Sequence, residues 1–412
     1  MEPCFLPANI LLPAKGTDMS KWAVIACDQF TSQPEYWHKA EKIVGDAPSA
    51  LNLVYPEAFL SKGDERIKKI CASMHKYLDD GILTEQVTDG FILVERQVSH
   101  GTRLGLVGRL DLDQYEFTPG AKVEIRATEG TVLSRIPPRV KIRKDAPIES
   151  PHAMVLIDDA KKQLLEPLAA EKEKFCKLYD FDLMLSGGHI AAWTVEGATA
   201  KSLAAKIATM QSEAGGFFIA VGDGNHSIAT AKTCWQDLKK TLTPGQAKTH
   251  PARWTLVELV NLHDPSLVFE PVHRLVTGPD AAELPHLFKA YLTKNSLEIK
   301  PGADVVFHDG KKQLDAYSIE GLNDRLPVDL LQKFLDEYLQ THKDTGIDYI
   351  HGEASVKQLA RDKHAIAILL GALDKNALFP AIAAGGVLPR KTFSMGEAEE
   401  KRYYIECRMI TM

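Results

Sequence analysis

The stretch GFFIAVGDGNHSIATAK, residues 216–232, joins an apolar run to a glycine-rich polar turn. The run predicts a β-strand, and apolar residues at helical spacing after the turn predict an amphipathic α-helix. Gly222 and Gly224 can adopt positive φ angles and allow a ligand close to the backbone. The first N–H groups of a helix have no partner within it and bind anions such as phosphate. The stretch thus predicts a phosphate site, although a strand-to-helix turn capped by its own polar side chains fits the pattern equally well.

Two side chains of the turn suit an anion site. His226 can donate a hydrogen bond to a phosphate, or add a full charge when it is protonated. Asp223 would repel a phosphate, but its carboxylate suits a metal ion such as Mg²⁺ or can orient His226. The chain contains no GxxxxGK[ST] sequence, so a phosphate site here would not be of the P-loop type.

The composition narrows the class of protein. The chain has 412 residues, 45% of them hydrophobic and 25% charged, as in a globular protein of two or three domains. A net charge of -6 argues against a nucleic-acid partner. No apolar run is long enough to span a membrane, and the N-terminus lacks the basic start of a signal peptide. The cysteines include no CxxC pair, which favours reduced thiols and a cytoplasmic location. A monomer and a homo-oligomer fit the sequence equally well.

Strand-like and helix-like segments alternate along the chain, which predicts a mixed α/β fold. The spacing of apolar residues predicts helices over residues 64–81 and 326–342. Two β-rich segments on either side of residues 99–102 predict a β-hairpin.

The tetrad Asp223–Gly224–Asn225–His226 resembles the DGHHR motif of the ParB/sulfiredoxin-like superfamily, whose members bind nucleotides and include a kinase of free L-serine. Three further segments occur in the same order as in the DUF1015 family, which is related to that superfamily. They are IRATEGTV (125–132), EPVHRLV (270–276) and LPRKTFSM (388–395). The chain is therefore similar to the DUF1015 family over most of its length. The resemblance implies a ParB/sulfiredoxin-like catalytic core at 119–276, between an N-terminal α/β portion, 1–118, and a C-terminal one, 277–412.

The sequence departs from the family pattern at two positions. Ser227 replaces the arginine of the DGHHR motif, and Thr128 replaces a histidine before the family's acid. A serine hydroxyl is not equivalent to a planar guanidinium with five donors in binding a phosphate. The positive charge would then have to come from one of four other side chains: Arg126, Arg139, Arg274 or Lys391. The departures fit either retained chemistry with a changed ligand or a loss of activity.

The resemblance also implies roles for individual residues. Glu129 is the counterpart of the general base that takes the proton of an acceptor hydroxyl. His226 and Asp223 complete the predicted catalytic set, and Asp223 is the candidate ligand of Mg²⁺. The predicted nucleotide- and phosphate-binding residues are Gly222, Gly224, Asn225, Ser227, Arg126, Thr131, Arg139, Arg274 and Lys391. The predicted substrate-binding residues are His273 and Asp28.

Several of these residues also have an ordinary structural explanation. An isolated glutamate near a strand end is usually a solvated surface residue, and it is the matched neighbours of Glu129 that favour a functional role. Arg139 lies in a basic segment that fits a nucleotide polyphosphate but is also typical of a solvated face. His273 fits a hydrogen-bonded core histidine, and Asp28 fits an Asx turn.

The pattern and the resemblance together predict a nucleotide- and Mg²⁺-dependent phosphotransferase that acts on a hydroxyl group of a small metabolite. ATP or ADP would be the phosphate donor, and free L-serine is the acceptor that the resemblance favours. Two alternatives stay open: a regulatory switch that binds or slowly hydrolyses nucleotide, and a degenerate family member without activity. An added acceptor should raise nucleotide turnover strongly in the enzyme but not in the switch.

Overall fold

The computed structural model describes residues 2–322, 325–389 and 391–412. The chain forms two compact units: the first comprises Met1–Leu267 and Gly396–Met412, and the second comprises Val268–Met395. Both contain helices and strands, which confirms the predicted mixed α/β class. Within the described ranges, no helix combines the length and the apolar character that crossing a membrane requires.

Strands and helices are numbered in chain order. The strands are β1 (Phe5–Leu6), β2 (Ala8–Pro13), β3 (Val24–Ile25), β4 (Leu83–Val98), β5 (Gly101–Asp111), β6 (Tyr115–Glu116), β7 (Ile125–Ala127), β8 (Ile148–Glu149), β9 (Met154–Ile157), β10 (Lys177–Asp182), β11 (His189–Val195), β12 (Ile219–Asp223), β13 (Trp254–Asn261), β14 (Phe269–Thr277), β15 (Glu298–His308), β16 (Gln313–Glu320), β17 (Gly346–His351), β18 (Ile366–Leu370), β19 (Phe393–Met395), β20 (Tyr403–Tyr404) and β21 (Arg408–Met409). The α-helices are α1 (Met19–Trp22), α2 (Pro34–Val44), α3 (Asp64–Asp79), α4 (Ile136–Arg143), α5 (Leu165–Ala170), α6 (Gly197–Glu213), α7 (Asn225–Lys239), α8 (Pro244–Thr249), α9 (Leu284–Lys294), α10 (Pro327–Thr341), α11 (Glu353–Lys363) and α12 (Lys375–Gly385).

The large sheet of the first unit combines strands from distant parts of the sequence. Its order is β10-β11-β4-β5-β13-β9-β12-β7-β6, with β1 added to β5 and β2 added to β4. The predicted hairpin is confirmed, because β4 and β5 are antiparallel neighbours with Ile92 opposite Val107. Near the other end of the sheet, β12 runs parallel to β7 and antiparallel to β9.

The parallel pair β7–β12 positions the candidate site. Ala127 is paired with Val221, so the residues that follow the two strands leave the sheet side by side. Helix α7 begins directly after β12, as the sequence predicts. It buries the apolar face that the spacing identifies, with Ile228, Ala231 and Trp235 in the core.

The two units differ from the three predicted portions. Strands β4 and β5, from the predicted N-terminal portion, share one sheet with β9 and β12 of the predicted core. The last residues of the chain return to the first unit, where β20 pairs with β3 and β21 pairs with β8. Pairing between strands so far apart in sequence is decided by tertiary packing, which local patterns do not encode.

Buried ion pairs fix this C-terminal segment in the first unit. The Arg402 guanidinium donates to the carboxylates of Glu258 (2.7 Å) and Glu406 (2.6 Å), and Arg408 donates to Glu149 (2.8 Å). Removing one partner of such a pair typically costs about 3–5 kcal/mol, because a buried charge is left without compensation. Residues 396–412 are therefore an integral part of this unit.

The second unit has its own antiparallel sheet, in the order β16-β15-β18-β14-β17 with β19 added to β14. Helices α9 to α12 belong to the same unit. The helix predicted over 326–342 is confirmed as α10, with Pro327 in its first turn. The fixed φ angle of proline suits this position, where no backbone donor is needed.

Candidate functional site

The turn at residues 222–227 depends on one glycine. Gly224 precedes α7 with φ +81°, and a Cβ atom there would lie 2.8 Å from the Ala153 Cα atom. A larger residue would therefore be both strained and in collision with the backbone. Gly222 belongs to β12 and is not among the glycines with a positive φ angle, so the positive φ angle expected there is wrong, while its contact with phosphate stays a prediction. The φ angle differs because the strand continues through Asp223.

The N-terminus of α7 has backbone donors to offer. Among the described residues, no side chain caps this helix. The first N–H group with an intrahelical acceptor is that of Ile228, which donates to the Gly224 carbonyl (3.0 Å). The N–H groups of residues 225–227 come before it and carry the positive end of the helix dipole. This end of α7 is suited to an anion.

The loop at residues 128–132, here called the Glu129 loop, lies against the turn. The Val132 N–H donates to His226 Nε2 (3.1 Å), and the Thr128 hydroxyl donates to the Val221 carbonyl (2.6 Å). Because Nε2 accepts a hydrogen bond, a neutral His226 ring carries its proton on Nδ1. The fold thus brings the loop that contains Glu129 to the turn, although more than 90 residues separate them in sequence.

Two buried side-chain oxygens at this junction have no hydrogen-bond partner among the described residues: Asn225 Oδ1 and Thr131 Oγ1. The hydrogen bonds of the Thr128 hydroxyl determine which way the Asn225 amide points. The Thr128 hydroxyl uses its proton on Val221, so its oxygen accepts from Asn225 Nδ2 (3.4 Å), and Oδ1 must point elsewhere. An unsatisfied buried polar atom costs about 1–3 kcal/mol, so two of them on adjoining segments indicate a place for a polar ligand.

A lysine from the C-terminal segment provides the positive charge at the turn. The Lys401 ammonium lies 3.3 Å from Asp223 Oδ2, while Asp223 Oδ1 accepts from the Gly224 N–H (2.8 Å). The next residue, Arg402, donates to the Pro151 carbonyl (2.8 Å) and anchors the segment. Lys401 could not be identified from the sequence, because no motif marks it and only the strand pairing of residues 403–404 and the buried contacts of Arg402 bring it here.

Asp28 lies close to this group of charges. Its Oδ2 atom is 3.9 Å from His152 Nε2, and His152 Nδ1 is hydrogen-bonded to the Tyr404 hydroxyl (2.6 Å). Burial raises the pKa of Asp28, but the nearby His152 and a hydrogen bond from Gln29 lower it. The positive charges of Lys401 and Arg139 lower it further, so the pKa of Asp28 is below its usual value. His152 and Tyr404 are further members of the site that carry no sequence signal.

A cavity of about 140 Å³ opens beside the turn. Ser227 and Thr230 of α7 line one side, and His152 and Arg139 line others. The Arg139 guanidinium forms an ion pair with Glu57, another wall residue. Its predicted contact with a nucleotide phosphate stays a prediction.

The Arg126 side chain lies away from the turn. Its guanidinium donates to the carbonyls of Val123 (3.0 Å) and Gly216 (3.3 Å) and lies over the Phe217 ring, 4.4 Å from the ring centre. Gly216 and Phe217 precede β12, so these contacts lie at the amino end of the strand, away from the turn. The backbone carbonyls and the aromatic ring thus hold the Arg126 side chain at the amino end of the strand, and its predicted contact with phosphate stays a prediction.

His273, Arg274 and Lys391 belong to the second unit. His273 is buried, accepts from the Leu370 N–H through Nδ1 (3.2 Å), and has a pKa lowered by burial. The Arg274 guanidinium is also buried and donates to Gln332 Oε1 (3.2 Å) and the Lys391 carbonyl (2.9 Å). These contacts give His273 and Arg274 a structural role within the unit. Their predicted roles at the turn, and that of Lys391, stay predictions.

The metal prediction also stays a prediction. Among the residues that the structure describes, no three His, Cys, Asp or Glu side chains are grouped so as to hold a metal ion. Mg²⁺ in phosphate-transferring sites is commonly held by one or two carboxylates together with water and the phosphates. Asp223 is the carboxylate at the turn that could act in this way.

Comparisons with known proteins give a family but no curated relative. Residues 11–372 match the model of a family described as "Protein of unknown function (DUF1015)". The comparison with curated proteins returned no match.

Three solved structures illustrate the structural similarities. A conserved hypothetical protein from Pyrococcus furiosus has 12% identity and a TM-score of 0.36, with 72% of this chain and 92% of that chain covered. A mutant free serine kinase in complex with ADP has 11% identity and a TM-score of 0.39, with 72% and 90% covered. A C-terminally truncated SbnI from Staphylococcus aureus has 8% identity and a TM-score of 0.35, with 70% and 82% covered. The match of the family model over most of the sequence shows that the chain belongs to the DUF1015 family.

Proposed function

We propose that the first unit transfers a phosphoryl group from a nucleotide, ATP or ADP, to a hydroxyl group of a small molecule. The observation that carries the proposal is the hydrogen bond from the Val132 N–H to His226 Nε2 (3.1 Å), which holds the Glu129 loop against the turn. A phosphate at the start of α7 and a hydroxyl at Glu129 would then be neighbours. Phosphoryl transfer requires such proximity, because a protein catalyses it mainly by positioning the reactants and stabilising charge.

Backbone and side-chain donors at the turn suit a polyphosphate. The N–H groups of residues 225–227 point away from the helix, and the buried Thr131 hydroxyl can donate to a phosphate oxygen. Lys401 supplies the cation that the motif lacks at Ser227. Its ion pair with Asp223 holds the ammonium beside the turn. The loss of the motif arginine is thus compatible with phosphate binding.

Asn225 suits a hydroxyl rather than a phosphate. Its Oδ1 atom can only accept a hydrogen bond, so its partner must be a donor. A deprotonated phosphate oxygen offers no proton, whereas the hydroxyl of a ribose or of an acceptor alcohol does. The junction therefore presents donors for the phosphate and an acceptor for a hydroxyl within two neighbouring segments.

In the transfer step, the Glu129 carboxylate takes the proton of the acceptor hydroxyl. The hydroxyl oxygen forms a bond with the terminal phosphorus, and the bond from that phosphorus to the bridging oxygen of the nucleotide breaks. Bound Mg²⁺, held by Asp223, would supply neutralisation of the phosphate charge. His226 contributes by fixing the loop through its Nε2 atom and by presenting the Nδ1 proton.

Replacing Glu129 by Gln tests the proposal, because the change keeps the shape and removes the charge. We expect nucleotide affinity, measured by calorimetry, to stay within about twofold, and turnover to fall about 100-fold or more, the size of a general-base contribution. Glu213→Gln, on the exposed end of α6, is the matched control. Full turnover in the Glu129 variant would exclude Glu129 as the base. If the wild-type protein binds nucleotide but no acceptor raises its turnover, the regulatory switch replaces the phosphotransferase.

A further inference from the structure

The cavity beside the turn has an apolar wall. It measures about 140 Å³, and its apolar lining includes Leu53, Val54, Leu60, Met74, Ile142 and Ile148. An apolar protein cavity of about 150 Å³ is large enough to take up benzene. This cavity therefore has room for one six-membered ring or an aliphatic group of the same size.

The arginine and glutamate side chains that line the cavity already form ion pairs. Arg139 pairs with Glu57, and Arg143 donates to Glu149 (2.5 Å), which also accepts from Arg408 (2.8 Å). The carboxylate of a zwitterion such as free serine would have to compete with Glu57 and Glu149 for these guanidinium groups. A neutral apolar group can enter without breaking any of the ion pairs.

The Thr230 hydroxyl, a polar group of α7 that lines the cavity, already has a hydrogen-bond partner. Thr230 Oγ1 donates to the His226 carbonyl (2.7 Å), within the helix itself. A purine base would need hydrogen-bond partners along its edge, and it is larger than a single six-membered ring. The size and the paired polar groups favour a one-ring or aliphatic body over a nucleobase.

Leu60 contributes apolar surface to the cavity wall. This residue is 42% exposed. A group seated in the cavity would remove part of this apolar surface from water. Each square ångström of apolar surface buried in this way contributes favourably to binding.

We infer that the cavity binds the apolar body of the acceptor, so that the substrate is a neutral alcohol carrying an aromatic or aliphatic group of about one ring. This inference rests on the proposed phosphotransferase. Ser227 belongs both to the cavity wall and to the turn, so an alcohol seated in the cavity can direct its hydroxyl to the start of α7. Its O–H bond then breaks with the proton going to Glu129. A new oxygen–phosphorus bond forms as the nucleotide leaves with the electron pair of the broken phosphorus–oxygen bond.

The test uses variants that change the size of the cavity. Ala146→Leu fills part of it, and Ile142→Ala enlarges it, since both residues line the wall. Ala205→Leu adds the same group to an exposed position of α6 as the control. The probes are benzyl alcohol, 2-phenylethanol, 2-(1-naphthyl)ethanol and L-serine. Phosphoryl transfer is measured with MgATP and MgADP, and ADP affinity is measured by calorimetry.

We expect 2-phenylethanol to be a better acceptor than L-serine for the wild-type protein. Ala146→Leu should raise the KM for 2-phenylethanol at least tenfold while ADP affinity stays within about twofold. Ile142→Ala should shift the preference towards the naphthyl alcohol, and it keeps the test available if the filled variant does not fold. Ala205→Leu should behave like the wild type.

Three results would overturn the inference. The first is that L-serine is the better acceptor and that its KM is unchanged in Ala146→Leu. The second is that Ala146→Leu weakens ADP binding tenfold, which would assign the cavity to the nucleoside. The third is an absence of benzyl alcohol binding in saturation-transfer NMR of the nucleotide-free wild-type protein. That last experiment needs no turnover, so it separates a failure of the cavity assignment from a failure of the proposed function.

Discussion

A glycine and a positively charged side chain lie at each end of β12, but their contacts differ. At the amino end, the Arg126 guanidinium donates to the Val123 and Gly216 carbonyls and covers the Phe217 ring. At the carboxyl end, Gly224 lets α7 begin without a side-chain cap, and Lys401 lies beside Asp223. At the amino end the positive charge is bound by carbonyls and a ring of the protein itself. At the carboxyl end the backbone N–H groups at the start of α7 can bind a ligand. A cation close to a motif in sequence is therefore not evidence of a cation close to the site.

The largest effect should come from the glycine at the carboxyl end. Gly224→Ala forces a left-handed backbone angle on alanine and places its Cβ atom 2.8 Å from Ala153 Cα. We expect it to lower the free energy of unfolding by about 3 kcal/mol and to abolish nucleotide binding. Urea unfolding and calorimetry measure the two effects.

Gly216→Ala, at the amino end, is the matched control. Gly216 also has a positive φ angle (+95°), but no atom of the described part of the chain lies within 4 Å of its added Cβ atom. Its cost should be about 1–2 kcal/mol, without loss of nucleotide affinity. Equal losses of stability and binding at the two glycines would remove the contrast between the two ends.

The next effect concerns the link between the turn and the Glu129 loop. His226→Ala removes the acceptor of the Val132 N–H and the Nδ1 donor. Nucleotide binding should weaken by about 1.5–3 kcal/mol, the range of a hydrogen bond to a charged group. His38→Ala, an exposed histidine on α2, serves as the control. Unchanged nucleotide affinity in a folded His226 variant would exclude this histidine from the phosphate site.

The smallest effect is a pH dependence from Asp28. Its folded pKa is lower than usual, so the stabilisation is present above the unfolded pKa and is lost as the pH falls through the folded pKa. The side chain is 32% exposed, so Asp28→Asn should lower the free energy of unfolding at pH 7 by less than about 1 kcal/mol. The difference from the wild type should shrink below about pH 4, near the ordinary pKa of aspartate. Urea unfolding at pH 7 and at about pH 3.5 measures it, with Asp46→Asn as the exposed control.

The strand, the turn and α7 could be predicted from the sequence because they are encoded locally. An apolar run, a glycine and helical spacing within 17 residues determine them. The family resemblance implied that the Glu129 loop lies beside the turn, and the parallel pairing of β7 with β12 brings that loop there.

The rest of the site could not be predicted, because it depends on contacts between distant residues. Lys401 reaches Asp223 only because buried ion pairs and the pairing of β20 with β3 return the C-terminus to the first unit. His152 and Tyr404 come together across 252 residues. The direction of the Arg126 side chain could not be predicted either, since it turns back to carbonyls at the start of the strand rather than to the motif at its end.

The most direct test of the central claim compares two cations by calorimetric titration with MgADP. Lys401→Ala and Arg126→Ala each remove one positive charge, at the carboxyl and the amino end of β12. We predict that the Lys401 variant binds MgADP about tenfold to 150-fold more weakly than the wild type, as expected for a lost charge-assisted hydrogen bond. The Arg126 variant should bind it within about twofold. Unchanged affinity in the Lys401 variant, with a large loss in the Arg126 variant, would contradict the assignment of the phosphate site to the carboxyl end.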